Sequence, residues 1–510
     1  MNSDSIPAPT EAPQLTRRLG LFSATAIVMG SMIGSGIFIV SADMSRTLGS
    51  PALLIAAWLV TAALTLIGAL SYGELAAMMP RAGGQYIYLR ESLGPLAGFL
   101  YGWTLFLVIQ TGTIAAVAVA FGKFLGVFFP SISAQHWLWH IGNGNIGLNT
   151  ANLAAIAIIT LLTILNTFGL NLGAAIQNIF TSAKVLALVA VIAAGLAARN
   201  AAAIAQNFGT GWTNFWANAS PHTLHAIQSG TSSPSTYVGI FTILAVVQVG
   251  SLFSSDAWNN VTFTAGEIEN PKRNLPLSLA LGTGTVLLLY IACNFVYLSV
   301  LPLAGSPEAT TITARGIQFA AQDRVATAVM QSAFGNFGAK LMASAILIST
   351  FGCVNGLILA GARVYYAMSR DGLFFRAVGK LHPRTGVPAN SLWLQWAWTC
   401  ILCLSGSYGQ LLDYVIFAVL FFYILTIAGL FILRRTQPDT PRPYRAIGYP
   451  ILPALYIVMA TWICVVLLRY KPQYTWPGLI LVLLGVPVYL AWTQLQASPR
   501  SCDSRSTDEA

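Results

Sequence analysis

Charged residues are scarce in this sequence: they make up 8% of its 510 residues, whereas 56% are hydrophobic. A soluble domain carries about a quarter charged residues, so this shortage excludes a soluble protein and predicts an integral membrane protein. The net charge of +10 does not indicate nucleic-acid binding, because the basic residues are scattered through short connections without interleaved aromatic residues.

Cysteine and histidine are also scarce, and their positions exclude several kinds of chemistry. The six cysteines lie mostly in apolar segments, and the CxxC of Cys400 and Cys403 is predicted to supply small buried side chains inside a membrane span. Two histidine pairs have metal-compatible spacing but no nearby acids or cysteines: His136 with His140, and His222 with His225. No hydrolase or nucleotide-binding motif stands in a suitable context. We therefore predict no enzyme, no cofactor and no metal.

Long apolar runs make up most of the chain, and each can supply the roughly 20 residues that a membrane-spanning helix needs. They predict an all-α membrane protein with twelve transmembrane helices, at about 20–45, 52–79, 95–128, 152–170, 174–197, 237–265, 276–301, 338–368, 390–405, 411–433, 450–469 and 474–494. Polar ends flank them, and we expect residues 1–19 to form a cytoplasmic tail and 496–510 a disordered cytoplasmic tail.

The basic residues predict the orientation in the membrane. If the N-terminus is cytoplasmic, 17 of the 26 Lys and Arg residues fall in inside segments, six in outside segments and three within spans. This excess predicts a protein of the cell (inner or plasma) membrane with both termini in the cytoplasm.

Two apolar runs are interrupted near their middle, by Ile33–Phe38 (IGSGIF) and by Phe253–Trp258 (FSSDAW). A break at this depth leaves backbone groups that lipid cannot satisfy, so it must face protein or a water-filled cavity. Corresponding breaks in two halves of a chain are typical of the substrate site of a secondary transporter.

The positions of the breaks predict two inverted repeats. Residues 20–197 would form helices 1–5 and residues 237–434 helices 6–10, with an outside loop at 198–236 between them and helices 11–12 at 450–495. Five spans in each half make the halves enter from opposite sides, so that the two breaks meet near the midplane.

The first break is suited to a carboxylate. Gly34 and Gly36 let the backbone leave helical geometry, and the N–H groups of Ser35, Gly36 and Ile37 would lie at the N-terminus of the restarted helix. The alternative interpretation is a packing notch of small residues at Gly30 and Gly34.

The second break places Ser254, Ser255 and Asp256 at bilayer depth, where an ionisable residue indicates function. Asp256 could attract an ammonium group or a cationic side chain, or it could instead cap the second half-helix. Carbonyl groups freed at both breaks could accept an ammonium group: those of Met32, Ile33, Phe253 and Ser254.

Lys184 is a second charge at membrane depth, one or two turns into the fifth predicted span. Its ammonium could stand where another transporter holds a sodium ion and so tie an unwound segment to a neighbouring helix. The alternative is a lysine that snorkels to the membrane surface.

The motifs resemble those of the amino acid–polyamine–organocation superfamily, and in particular the L-type amino acid transporters, the light-chain branch with its prokaryotic relatives. The resemblance covers roughly 20–435. It rests on IVMGSMIGSGIF at 27–38, YGELAAMMPRAGGQYIYL at 72–89, IQNIFTSAKVLAL at 176–188, LFSSDAWNNVTFTAGEIENPKRNLPLSL at 252–279 and ISTFGCVNGLILAGARVYYAMSRDGLF at 348–374. It implies a LeuT-like five-plus-five inverted repeat with broken helices 1 and 6 and two added helices.

The resemblance also implies roles for the site. Ser35, Gly36 and Ile37 would bind the carboxylate of an amino acid, and Phe253 would cover it. The carbonyls of Met32, Phe253 and Ser254 would bind the amino group, and Lys184 would stand in for sodium. The implied activity is sodium-independent transport of L-amino acids by exchange. A proton-coupled symporter is the alternative, and a channel or a sensing receptor a remote one.

The chain departs from the family in two places. Animal light chains carry a cysteine for a heavy-chain disulfide between spans three and four, but residues 129–151 contain none, so no such partner is expected. Many neutral-selective members have glycine at the position of Asp256, which favours a pocket that accepts cationic side chains. The expected partners are a small amino acid and the lipid bilayer.

Overall fold

The structure, a computed structural model, describes residues 17–141, 146–210, 212, 237–404 and 408–497. The predicted tails and the predicted loop 198–236 therefore lie largely outside the described residues, as do His222 and His225.

Along the chain, helices precede and follow a small β-hairpin. Up to residue 205 the elements are α1 (Leu21–Met32), α2 (Gly36–Leu48), α3 (Pro51–Met78), α4 (Gln85–Leu93), α5 (Pro95–Thr104), a π-helical turn (Leu105–Ile109), α6 (Gln110–Leu125), β1 (Trp137–Ile141), β2 (Ile146–Asn149), α7 (Thr150–Thr167), α8 (Leu170–Ala197) and α9 (Ala201–Ala205). A π-helical turn at Gln206–Thr210 follows.

The remaining described residues repeat this helical character. The elements are α10 (Tyr237–Ser254), α11 (Asn260–Phe263), a 3₁₀ turn (Ala265–Glu267), α12 (Pro271–Val300), α13 (Ile312–Arg315), a 3₁₀ turn (Ala321–Asp323), α14 (Val325–Arg370), a 3₁₀ turn (Arg376–Gly379), α15 (Ala389–Cys403), α16 (Tyr408–Thr436), α17 (Ile451–Tyr470) and α18 (Pro472–Ala497).

The prediction of a helical, multi-span membrane protein is confirmed. Among the described residues, ten helical segments are long and apolar enough to cross a membrane, with α1 and α2 together forming one of them, and the apolar helix at 239–254 is shorter. The all-α prediction needs one correction: β1 and β2 pair antiparallel, with Trp137 opposite Asn149. Bulky aromatic and β-branched residues favour an extended backbone in this short connection.

The buried fraction of residues distinguishes central helices, which include α1 and α2, from peripheral ones. Within the most apolar window of 21–48, 83% of residues are buried, compared with 28% in 173–197 and 22% in 475–494. Large apolar side chains on α8 and α18 are exposed, as lipid contact requires, for example Leu186 and Leu483. The interrupted helix α1–α2 therefore runs through the centre of the bundle.

The end of the bundle where α1 begins is tied together by backbone and charge. The N–H groups of Arg18 and Leu19 both donate to the carbonyl of Glu267 at 2.9 Å, so these two residues of the predicted tail are bound to the segment after the second break. The Glu267 carboxylate forms a buried ion pair with Arg363 of α14, with a shortest N–O distance of 3.0 Å. These contacts join the start of α1 to α14 at the end that we expected to be cytoplasmic.

A second ion-pair group lies near the last turn of α16. Glu74 of α3 is fully buried, and its carboxylate accepts hydrogen bonds from Arg434 at 2.9 and 2.5 Å. It also accepts one from the backbone N–H of Ala446 at 2.7 Å and lies 3.3 Å from Arg442. Because its charge is fully compensated, Glu74 fixes α3 to the connection between α16 and α17.

Candidate functional site

The first break is present where the glycines predict it. α1 ends at Met32, Ile33 leaves helical geometry, and α2 begins at Gly36. The N–H groups of Gly36 and Ile37 lie in the first turn of α2, where no intrahelical acceptor exists. These groups and the positive end of the α2 dipole are therefore brought to the middle of the bundle.

The second break lies where it was predicted, but only a short helix follows it. α10 ends at Ser254, and the next helix, α11, begins only at Asn260 and has four residues. Ala257 lies between them with φ of 64°, in the left-handed region that side chains other than glycine rarely adopt. The alternative that Asp256 caps the second half-helix is wrong, because the residue before α11 is Asn259.

The two breaks touch. A Cβ atom added to Gly36 would lie 2.8 Å from the Cα of Ser254 and 2.2 Å from its Oγ. The ten predicted substrate-site residues are all buried: Met32, Ile33, Gly34, Ser35, Gly36, Ile37, Phe253, Ser254, Ser255 and Asp256. The small size of residue 36 is thus what lets α2 approach the end of α10.

The packing interpretation of the glycines also has support. A Cβ on Gly30 would lie 1.8 Å from Nε2 of Gln177 and 2.4 Å from Oγ1 of Thr181, both on α8. Gly30 therefore forms a notch that admits α8, whereas Gly36 admits the second break. The two interpretations apply to different glycines.

Lys184 fastens the first break. It is fully buried, and its Nζ donates to the carbonyls of Gly30 at 2.7 Å, Ile33 at 2.9 Å and Ser349 at 3.2 Å. An ammonium has three donors, so this set satisfies it. The snorkelling alternative is wrong, because the side chain points into the bundle and joins α8 to α1 and α14.

Two further side chains bind the carbonyl groups freed at the first break. The Ser349 hydroxyl donates to Ile33 at 3.0 Å and to Gly34 at 3.2 Å, and the Tyr290 hydroxyl donates to Met32 at 3.1 Å. Ser349 and Tyr290 were absent from the sequence-based site. A hydroxyl within an apolar run is their only sequence signal, and many such hydroxyls bond within their own helix.

Asp256 accepts a hydrogen bond but has no counter-ion among the described residues. Its Oδ1 accepts from the Tyr423 hydroxyl of α16 at 2.7 Å. The ring of Tyr423 packs against Trp258 and Tyr72, with centroids 5.1 and 5.6 Å away. None of the ion pairs formed within the described part of the chain includes Asp256.

Two narrow cavities flank the Asp256–Tyr423 pair, and Val419 lines both of them. The lining of one cavity includes five polar side chains: Gln85, Gln110, Thr113, Asn259 and Asn260. It also includes Leu105 and Ile109 of the π-helical turn. The other is bounded by Ser255, Trp258 and Tyr456 among others. Within the described residues the Ser255 hydroxyl and the Asn260 Nδ2 are buried without a partner. The space around Asp256 therefore offers unused hydrogen-bonding capacity.

A bundle of membrane-length helices, with two interrupted helices meeting at a buried polar centre, defines a multi-pass membrane permease. The family model for amino acid permeases matches residues 19–490. The chain belongs to the amino acid permease family.

Individual relatives cover nearly all of the chain. The large neutral amino acids transporter small subunit 2 of Homo sapiens is 29% identical over 487 residues, which are 95% of this chain and 82% of that protein. The serine/threonine exchanger SteT of Bacillus subtilis (strain 168) is 28% identical over 491 residues, 96% of this chain and 100% of the relative. The cystine/glutamate transporter of Homo sapiens is 28% identical over 495 residues, which are 97% of this chain and 89% of that protein. The resemblance to the L-type transporters is thereby confirmed.

We predict that Gly36→Ala destabilises the protein strongly, because the new methyl group would meet Ser254 backbone at 2.8 Å and overpacking costs about 1–3 kcal/mol or more. The matched control is Gly284→Ala, where a Cβ meets nothing within 4 Å and which gains up to about 1 kcal/mol of helix stability. Thermal unfolding of the purified proteins measures both. Equal melting temperatures would contradict the close contact of the two breaks.

Proposed function

We propose that this protein is a secondary transporter that exchanges L-amino acids across the cell membrane without sodium. The observation that carries the proposal is the contact between the two helix breaks, which gathers backbone groups without intrahelical partners and one acid in a buried centre. Membership of the amino acid permease family and the exchanger names of SteT and the cystine/glutamate relative support it.

The proposed architecture has twelve spans in a LeuT-like arrangement. Residues 20–197 and 237–434 would be inverted five-helix repeats, 450–495 would add two helices, and both termini would face the cytoplasm. The contact of Gly36 with Ser254 supports the pairing of helices 1 and 6, since inverted repeats bring their broken helices together.

The amino acid would bind by its charged ends. Its carboxylate would accept hydrogen bonds from the N–H groups of Ser35, Gly36 and Ile37 at the start of α2. Its ammonium would donate to carbonyls of Met32, Phe253 and Ser254, with the Phe253 ring above it. The Ile33 carbonyl would serve the site indirectly, because Lys184 and Ser349 already bind it.

Lys184 would replace a coupling ion. Its ammonium lies against two carbonyls of the unwound α1 end and one of α14, which is the arrangement expected of a bound monovalent cation. Since this charge is covalently part of the protein, transport would need no sodium gradient. Exchange follows if the broken helices move between the two sides only with a substrate bound.

Asp256 would face the substrate side chain. Its carboxylate borders both narrow cavities and has no counter-ion within the described residues. A cationic side chain of the substrate would therefore balance its charge. The same observation favours a second candidate, a proton-coupled symporter in which Asp256 gains and loses a proton. We also propose that the protein works without a disulfide-linked heavy chain, because residues 129–151 contain no cysteine.

We predict that proteoliposomes containing the protein take up labelled amino acids rapidly only when they also contain an amino acid inside. Replacing sodium by choline should leave the rate unchanged, and so should collapsing the pH gradient. A panel of neutral, cationic and acidic amino acids identifies the substrate. Uptake that ignores internal amino acid would contradict exchange, and uptake driven by a pH gradient would favour symport.

We predict that Asp256→Asn lowers uptake of cationic amino acids about tenfold more than uptake of neutral ones, as expected for the loss of one charge-assisted hydrogen bond. Competition of lysine and alanine for uptake measures the difference. Asp43→Asn is the control, because the Asp43 side chain is 75% exposed. Equal losses for both substrates would assign Asp256 a purely structural role.

We predict that Lys184→Ala reduces transport at least tenfold while the protein still inserts and elutes as a single species. The change leaves the Gly30 carbonyl without its donor, and a buried orphan group costs about 1–3 kcal/mol. Lys272→Ala, at an exposed position, should transport normally. Unimpaired uptake by Lys184→Ala would refute the sodium-replacing role.

A further inference from the structure

A cavity with a cationic lining lies beside the N-terminal part of α14, and no residue of either break lines it. It has a volume of about 460 Å³, within the range of about 300–1,000 Å³ typical of small-molecule sites. Three of its lining residues are basic, Arg315, Arg324 and Lys340, and none of the lining residues is acidic. An uncompensated positive cluster of this kind attracts an anion.

Two of the lining residues carry a buried polar atom that has no partner among the described residues. These atoms are Nε of Arg324 and the hydroxyl of Thr327. The hydrogen bonds of the Arg324 guanidinium go to neutral oxygens: Nη2 donates to the carbonyl of Lys123 at 3.1 Å and to the side chain of Gln322. The guanidinium also lies over the Phe124 ring, 5.6 Å from its centroid. The nearby Asp323 is engaged elsewhere, with Arg46 at 2.6 Å. The guanidinium of Arg324 thus keeps an unused donor and no bound acid.

The cavity owes its shape to a break within α14. Phe334 and Gly335 have non-helical backbone angles, so the segment 325–333 diverges from the long helix that follows. Thr327 lies on the first segment, whereas Asn336, Ala339 and Lys340 belong to the first turn and a half of the second. The positive end of that helix dipole adds to the three side-chain charges.

The surroundings of the cavity are apolar and exposed. Phe337 and Leu341, which flank Lys340 along α14, are 73% and 51% exposed, and Phe129 is 57% exposed. The apolar span predicted for this helix begins at residue 338. Cationic groups beside exposed apolar side chains at the end of a span match the headgroup level of a bilayer.

We propose that this cavity binds the phosphate of an anionic phospholipid in the leaflet at the α14 N-terminal end. Arg324 and Lys340 bind the phosphate oxygens, the Thr327 hydroxyl donates a further hydrogen bond, and the acyl chains lie along Phe337 and Leu341. A free inorganic phosphate shares the headgroup chemistry but gains nothing from the apolar surface.

Thermal unfolding of the detergent-purified full-length protein tests the proposal by titration. Short-chain phosphatidylglycerol should stabilise the protein at lower concentration than short-chain phosphatidylcholine, which has the same chains without net charge. Arg324→Gln and Lys340→Gln should each weaken the phosphatidylglycerol effect about fivefold, as expected for one basic residue at an anionic lipid. Arg324→Lys should retain most of it.

Lys380→Gln serves as the control, because Lys380 is exposed and follows the opposite end of α14. It should leave the titration unchanged, and Lys340→Gln keeps the test valid if Arg324→Gln fails to fold. Phosphatidylglycerol binding that is equal in wild type and both glutamine variants would overturn the proposal. Stabilisation by inorganic phosphate with no preference for phosphatidylglycerol over phosphatidylcholine would overturn the lipid assignment.

Discussion

Backbone groups without helical partners, at the break between α1 and α2, are the constraint on which the centre of this protein depends. Lipid cannot satisfy them, so neighbouring helices must. Lys184 of α8, Ser349 of α14 and Tyr290 of α12 each donate to a carbonyl of the Gly30–Gly34 region. Three helices distant in sequence therefore converge on one interruption, and its position determines theirs.

Charge is treated differently at the end of the bundle and at its centre. The Glu267–Arg363 pair near the start of α1 is a complete buried ion pair. At the centre, the Lys184 ammonium is satisfied by carbonyl groups, whereas Asp256 accepts a hydrogen bond from Tyr423 and has no counter-ion in the described part of the structure. A satisfied cation is suited to holding structure, and an acid without a counter-ion is suited to responding to a ligand or a proton.

Local rules predicted the helices and the first break well. Apolar length predicts a span because the hydrocarbon thickness imposes it, and α3 at Pro51–Met78 lies within a residue of the predicted 52–79. Local rules failed after the second break, where the span was predicted to continue to residue 265 and α11 has four residues. The connection from Ser255 to Asn259 is held by contacts across the bundle, which no local pattern encodes.

The sequence by itself determined that the chain is a helical membrane protein and where its first helix breaks, and it predicted that a lysine and an aspartate lie at membrane depth. Composition and glycine placement act locally, so their effects can be predicted without coordinates. Only the tertiary structure decided that Lys184 binds the carbonyls of Gly30 and Ile33, that Tyr423 donates to Asp256, and that Gly36 rests on Ser254. These contacts join residues up to 218 positions apart (36 to 254) around the two breaks, and packing geometry alone selects such partners.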